Sequence, residues 1–414
     1  MPIRSSSLLI LCLLPALGCS GGESPARPEP EKDPATLGAD LETLGPPQDP
    51  IYRGALVLRV EEGGPAALAE LQPEDVIRQV DEVRVSSLCD LEREILKREP
   101  GDEVRIEIHR KGWSLFKTVK LAGAFDLYGE GCDAGRAASC HQLGVLYTKG
   151  TGLAAADPAL GRELFDRACQ GGSAAGCAEL GARFLSGIDV PADVPRGLAL
   201  ARKACDGGSA AGCAHLGYAY AEGLGVPEDD GKALELYMQS CEGGDSAGCF
   251  NVAVNFDFAR GTPQSHFRAL AMYERACDLG DSRACTNVGF FHESGKGVPE
   301  DPLRARVFFR RACEGTSCDP GDPLGCFNLG VLYRDARGGT GDKAEAARLF
   351  ELSCNGGNAL GCANLADLLA FGDGVPKDEA RAARLFRLAC TGGHETACRN
   401  AEALDRQQKG RQGK

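Results

Sequence analysis

The cysteines keep a register, and that register limits what this chain can fold into. Cys169, Cys205, Cys241, Cys277 and Cys313 follow one another at 36-residue steps, and Cys354 comes after 36 plus five. Seven pairs are spaced C-x7-C: Cys132/Cys140, Cys169/Cys177, Cys205/Cys213, Cys241/Cys249, Cys277/Cys285, Cys354/Cys362 and Cys390/Cys398. In the remaining pair, Cys313/Cys326, a five-residue insertion accounts for the longer step. A fixed period of about 20 to 50 residues marks a stacked repeat whose units cannot bury their apolar faces alone.

Within the period, a short helix follows each second cysteine. Leu216, Gly217, Tyr218 and Tyr220 recur as Leu143/Gly144/Tyr147, Leu180/Gly181/Phe184, Val288/Gly289/Phe291 and Leu329/Gly330/Tyr333. The glycine lowers helix propensity, so packing is the reason for it: a neighbouring helix comes close. A Gly-rich stop, then Val-Pro, then Asp or Ser opens a second helix, with Asp157-Pro158 and Asp301-Pro302 pairing an N-cap with proline at the first helical position. Ala233/Leu236/Tyr237 and Ala346/Leu349/Phe350 lie at helical spacing, and Gly-Gly ends the unit with a left-handed cap. Short loops make antiparallel αα-hairpins, seven between about 138 and 391, closed by an amphipathic half-unit at 394–407.

On these residues the chain resembles the Sel-one-like repeat, a relative of the tetratricopeptide repeat, in the cysteine-bearing form of the Helicobacter cysteine-rich proteins. The resemblance implies a right-handed α-solenoid over 124–393, with a cap and tail at 394–414. Two cysteine pairings fit the period: within a hairpin (Cys140 to Cys169) or between successive hairpins (Cys169 to Cys177). The first leaves Cys132 and Cys398 alone while the second uses all sixteen, and the second also matches the habit of the family. Each bridge then closes a small ring worth about 2–3 kcal/mol. Structural zinc wants cysteines two to four apart in clusters of four, which this spacing does not offer, so no metal or other cofactor is expected. Cys318, in the insertion, could compete for Cys326, remain a loop thiol or bond to Cys89.

Sixteen paired cysteines call for an oxidising compartment. The N-terminus agrees: Arg4, the apolar run Leu8–Leu14 and Pro15-Ala16-Leu17-Gly18-Cys19 resemble a bacterial lipoprotein signal over 1–18, with Cys19 as the acylated residue. The resemblance implies that Ser20, rather than Asp, directs the chain to the outer membrane, and proline-rich 19–49 reads as a flexible tether. A formal charge of −13 argues against nucleic acid or anionic lipid headgroups as partners.

Residues 50–123 read differently, with alternating strands and few cysteines. A Gly-containing turn, Tyr52-Arg53-Gly54-Ala55, enters the strand Leu56-Val57-Leu58. A short helix at Pro65–Leu68, strands around Val76 and over Glu103–Arg110 and Trp113–Leu121, and a helix bearing Leu91 and Ile95 complete the set. The motifs RGALV, GGPAALAEL-QPEDVI and PGDEVRIEIHRKG resemble a PDZ domain of the bacterial periplasmic-protease type, with Glu70 and Glu74 where that type has glycines. The likeness implies a peptide groove working by strand addition: Tyr52–Ala55 hold the terminal carboxylate, Leu56–Leu58 pair with the peptide, and Leu91 and Ile95 line the pocket.

The fold class expected is therefore multi-domain, a small β-rich α+β domain followed by an all-α solenoid cross-linked by disulfides. The expected function is a non-enzymatic envelope scaffold, its PDZ-like groove taking peptide C-termini and the concave face of its repeats a protein. The alternative is a weak β-lactamase or penicillin-binding hydrolase, as discussed for cysteine-rich relatives. Serine β-lactamases use Ser-x-x-Lys with Ser-Asp-Asn and Lys-Thr-Gly. The chain has Ser114-Leu115-Phe116-Lys117 on an expected strand and lacks the other two motifs, so it reads as coincidence.

Overall fold

The computed structural model describes residues 35–36, 39–43, 55–60, 65–85, 91, 94–95, 97–98, 100–150, 155–315 and 321–412. Cys19, Tyr52, Arg53, Gly54, Cys89 and Cys318 lie outside them.

The N-terminal part is an antiparallel sheet with strands β1 (Ala35–Thr36), β2 (Ala39–Thr43), β3 (Ala55–Val60), β4 (Val76–Val80), β5 (Val83–Arg84), β6 (Glu103–Arg110), β7 (Trp113–Lys120) and β8 (Ala122–Gly123), and the one-turn helix α1 (Pro65–Leu68) after β3. The main sheet runs β2-β3-β4-β6-β7 with β5 on β4, while β1 and β8 form a separate two-stranded ladder. Alternation along β6 sends Val104, Ile106 and Ile108 inward, where they meet Val57, Ile77, Val80, Leu91, Ile95 and Val119 in one core. A two-residue turn joins β6 to β7, with positive φ at both Lys111 (49°) and Gly112 (89°), as a tight right-twisting hairpin requires.

The domain begins earlier than the sequence suggested. Strands β1 and β2 occupy 35–43, inside the stretch expected to be tether up to residue 49, so the folded part starts at 35 rather than 50. A five-residue strand between Pro34 and Pro46 is too short to alter a composition averaged over thirty residues.

After β8 the chain is helical. Ala124–Asp133 comes first. The seven repeats follow as Ala137–Lys149 with Pro158–Gln170, Ala174–Ser186 with Val194–Asp206, Ala210–Ala221 with Asp230–Glu242, Ser246–Phe258 with His266–Asp278, Ser282–Ser294 with Pro302–Glu314, Pro323–Arg334 with Lys343–Asn355, and Ala359–Phe371 with Glu379–Thr391. Glu395–Gln412 closes the array. The helices divide between two compact bodies, 1–255 with 260–263 and 256–259 with 264–414.

The expected capping is present. Asp157, Asp193, Asp229, Asp301, Asp342 and Asp378 each accept a hydrogen bond from a backbone N–H in the first turn of a second helix. In the Gly-Gly stops the second glycine carries the left-handed backbone, with φ of 93° at Gly172 and 86° at Gly208. The glycine of each first helix is a contact residue: a Cβ on Gly144 would lie 2.8 Å from the Phe165 ring, and one on Gly289 2.5 Å from the Phe309 ring.

Among the described residues eight disulfides join Cys132–Cys140, Cys169–Cys177, Cys205–Cys213, Cys241–Cys249, Cys277–Cys285, Cys313–Cys326, Cys354–Cys362 and Cys390–Cys398. Each links the end of one helical pair to the first helix of the next, with Cα atoms 4.4–4.7 Å apart. Helix Ala124–Asp133 supplies Cys132, which is how the first repeat receives its bridge.

Candidate functional site

Two places could recognise a partner: an edge of the sheet and a set of half-buried polar positions on the first helices. At the sheet, the structure changes which strand can accept a peptide. β3 is paired on both sides, with β2 from Thr43↔Ala55 to Ala39↔Val60 and with β4 at Ala55↔Ile77 and Leu56↔Val76. Val57 donates to the Asp75 carbonyl and accepts from the Glu74 N–H, both at 2.8 Å. Leu56–Leu58, expected to pair with a peptide, therefore have no edge to offer. Among the described residues β2 pairs with β3 alone and ends the sheet on this side, with β7 at the other end.

The expected pocket residues are core residues. Leu91 is 1% exposed and Ile95 5%, both packed with Val57, Ile77 and Val80. A charge at Ile95 would unfold the domain before it tested a groove.

The turn after α1 is kept in shape without the glycines of the family type. Glu70 (φ 59°) and Glu74 (φ 75°) adopt the left-handed backbone themselves. Next to them Asp75, fully buried, accepts from Arg110 Nε at 2.5 Å and Nη2 at 2.7 Å and from the Gln72 N–H at 2.8 Å. Arg110 also donates to the Glu70 carbonyl at 2.9 Å. The bond to Asp75 holds the guanidinium above its ordinary pKa. Lys117 reaches Glu70 at 2.8 Å and lowers that carboxyl's pKa.

The same pairing bears on the hydrolase alternative. Ser114 and Lys117 both lie on β7 at odd spacing, hence on opposite faces of the sheet, and Lys117 is engaged by Glu70. That is not the geometry of a serine nucleophile and its base.

On the repeats, one polar position recurs that the sequence analysis did not single out. Two places after each second cysteine stand Gln142, Glu179, His215 and Asn251 in the first body and Asn287, Asn328, Asn364 and Asn400 in the second. Their signal was the cysteine register itself, but polar residues on a helix read by default as a solvated face. Asn364 accepts from Arg334 at 2.6 Å and donates to the Leu360 carbonyl at 2.9 Å. Desolvation holds His215 below the ordinary imidazole pKa despite Glu179 and Asp245 nearby. Two places before the second cysteine the first body has Ala138, Ala175, Ala211 and Ala247 where the second has the exposed Leu324 and Leu360, while five places after it the first has Val145, Ala182, Tyr218 and Val254 and the second the exposed Phe290. Among the described residues no three His, Cys, Asp or Glu side chains are grouped to hold a metal ion, and no helix is long and apolar enough to cross a membrane.

Comparison with known proteins agrees with this division. The Sel1 repeat profile matches seven times, over 137–173, 174–209, 210–245, 246–281, 282–317, 323–358 and 359–394, and the PDZ domain profile matches 35–121. No curated protein matches. Among solved structures, the chain is similar to c5321, a protective antigen of uropathogenic Escherichia coli displaying an SLR fold, at 24% identity and TM-score 0.54, over 68% of this chain and 59% of that one. The chain thus spans under two thirds of that antigen's length. It is also similar to a Sel1 repeat protein from Oxalobacter formigenes, at 27% identity and TM-score 0.52, over 68% and 79%. A third match is cysteine-rich protein B of Helicobacter pylori, at 28% identity and TM-score 0.26, over 30% and 94%.

Proposed function

Because this chain belongs to the Sel1 repeat family and carries a PDZ domain ahead of its repeats, we propose that it is a lipid-anchored scaffold of the bacterial envelope that takes a peptide by strand addition at β2 and a protein on its repeats. Both modules are protein-interaction modules and typically non-catalytic. The observation that carries the peptide reading is that β2 ends the sheet among the described residues. An extended segment laid beside Ala39–Thr43 would continue the sheet through backbone hydrogen bonds. In the sequence Leu37-Gly38 stands immediately before β2 as Arg53-Gly54 stands before β3, so the expected carboxylate seat moves with the strand. For the repeats, the Asn-bearing face of the second body is the better partner surface, since Leu324 and Leu360 are exposed where the first body has alanines, and Phe290 and Phe371 are exposed as well. Anchoring through Cys19 and an outer-membrane address complete the reading.

The test is a C-terminal peptide library against the full chain, read by fluorescence anisotropy. Binders at micromolar level, about 8 kcal/mol, are expected. N-methylating alternate peptide amides should abolish binding by removing the ladder to β2. Gly38→Val should weaken it more than Gly54→Val at equal domain stability. A library without binders leaves the domain a spacer.

A further inference from the structure

A cavity of about 910 Å³ opens in the second body, where helix Lys343–Asn355 of the sixth repeat meets both helices of the seventh, Ala359–Phe371 and Glu379–Thr391. Ligand sites commonly measure about 300–1,000 Å³. Its floor is apolar and buried, made by Ala347, Leu365 and Leu369, and the loop residues Val375 and Pro376 form one wall. Neither β2 nor the Asn positions line it, so the site stands apart from the function proposed above.

The repeat register explains why it is open. In earlier repeats the equivalent of Leu369 is a ring and the equivalent of Ala347 a long side chain: Phe184 with Arg162, Tyr220 with Leu198, Tyr333 with Arg306. Arg162 donates to the Asp189 carbonyl at 3.1 Å and Arg306 to the Gly338 carbonyl at 2.9 Å, so each arginine also spans to the loop wall. In the last repeat both side chains are cut back, and Ala347 has no arm to reach Gly374, the equivalent loop residue.

The cation that covers the ring is nonetheless kept. Arg196 lies 4.2 Å from the centre of the Phe184 ring while its Nη2 stands 3.7 Å from Asp166. Lys232 covers Tyr220 in the same way, at 4.6 Å. Arg381 and Glu351 occupy the register positions of Arg196 and Asp166 and are likewise ion-paired, but the residue of the ring is Leu369. Arg196 demonstrates that a guanidinium paired through its edge still offers its face to a ring. The other charges at the mouth are engaged within the chain: Arg348 by Glu345 at 2.7 Å, Lys377 by Glu379 at 2.8 Å, and Asp378 by the Arg381 N–H at 2.8 Å. A rim neutralised in this way suits an uncharged occupant, and the guanidinium face attracts the negative face of a π-system.

We propose that this cavity receives an aromatic side chain, Phe or Tyr, from an extended segment of a protein partner, seated on Leu365 and Leu369 beneath Arg381, where earlier repeats place a ring of their own. The cavity is open to solvent and larger than one ring needs, which leaves room for the chain that carries the ring.

The test uses the full mature chain, oxidised and made soluble by Cys19→Ser. The probe is the pentapeptide acetyl-Gly-Ser-X-Ser-Gly-amide, with X phenylalanine, tyrosine or cyclohexylalanine, and binding is read by saturation-transfer NMR. The Phe and Tyr peptides should bind at about millimolar level. Cyclohexylalanine keeps the bulk of the ring without its π face and should bind about fivefold more weakly. Arg381→Gln should erase that difference. Leu369→Phe and Ala347→Leu each restore what earlier repeats carry, and each should cut binding of the Phe peptide about tenfold by filling its seat, without lowering the thermal transition. Three results would overturn the proposal: no binding of the Phe peptide, even if toluene alone enters the cavity; cyclohexylalanine equal to phenylalanine in the unmutated cavity; or a Phe peptide that still binds both refilled variants. The blocked termini of the probe keep it from a carboxylate seat beside β2, and the refilled variants leave β2 untouched, so either reading can fail alone.

Discussion

The PDZ domain and the repeats are stabilised by opposite means. The sheet domain gathers residues as distant as Val57 and Val119 into a single core, locks one buried carboxylate with one arginine, and has no cross-link among its described residues. The repeats hold smaller clusters, such as Cys205, Cys213, Leu198 and Leu216, each tied by its own disulfide over a few residues of chain. A long-range core fails as a whole, whereas a stacked array loses stability unit by unit. The comparison therefore predicts where damage spreads.

The largest effect is expected from Arg110→Ala, which leaves Asp75 buried without its cation. Removing one partner of a buried pair costs about 3–5 kcal/mol, a large part of the stability of a small domain. Trp113 emission should report a lowered transition while helical circular dichroism from the repeats keeps its own. If both signals move together, the two parts are not independent and the contrast breaks.

Next comes a single bridge. Replacing Cys205 and Cys213 together by serine should cost about 2–3 kcal/mol through loop-closure entropy. Hydrogen exchange should quicken over 194–221 and stay unchanged in the sheet domain. Acceleration across every repeat would mean the array is more cooperative than its local bridges imply.

A smaller effect attaches to His292, which stands where five of the other repeats have Tyr147, Phe184, Tyr220, Phe256 and Tyr333 and the last has Leu369. It is buried, stacked on Phe308, and neither ring nitrogen has a hydrogen-bond partner. Burial lowers its pKa. The unfolded chain takes up this proton near pH 6.5 and the folded chain only at lower pH. Stability from the neutral ring is thus complete above about 6.5 and is lost as pH falls below it. His292→Phe should remove that acid slope and add about 1 kcal/mol at neutral pH by ending the unpaired burial. A denaturation series across this pH range checks both; an unchanged slope would assign it elsewhere.

Legibility in the sequence follows the same contrast. In the repeats each constraint is local and recurs: the cysteine register, the Asp caps, the glycine facing Phe165 or Phe309. In the sheet domain the constraint is topological. The resemblance of RGALV to the protease-type PDZ motif implies Leu56–Leu58 as the peptide strand, yet a run that is apolar on both sides is what a central strand looks like, and β3 is central. The true edge, Ala39–Thr43, carries Asp40 and Glu42 and sits among prolines, so its polarity concealed it. Leu91 and Ile95 were expected to line the pocket and lie in the core of the domain; nothing in a helical spacing separates a pocket wall from a core.

The smallest expected effect sharpens the point about the turn after α1. Glu74 holds φ at 75° and its N–H bonds to the Val57 carbonyl, so the chain keeps the turn with a side chain in left-handed backbone. Glycine reaches that conformation without the steric cost, but it also loses more freedom on folding. The two terms leave a net gain of about 0.5–1 kcal/mol for Glu74→Gly. Glu70→Gly is the control: the same backbone relief there is offset by loss of the ion pair to Lys117, so its gain should be smaller. Trp113-detected urea denaturation of the two variants makes the comparison within one domain. If Glu74→Gly is neutral or destabilising, the left-handed glutamates are not strained, and the glycines of the family type are not needed to form this turn.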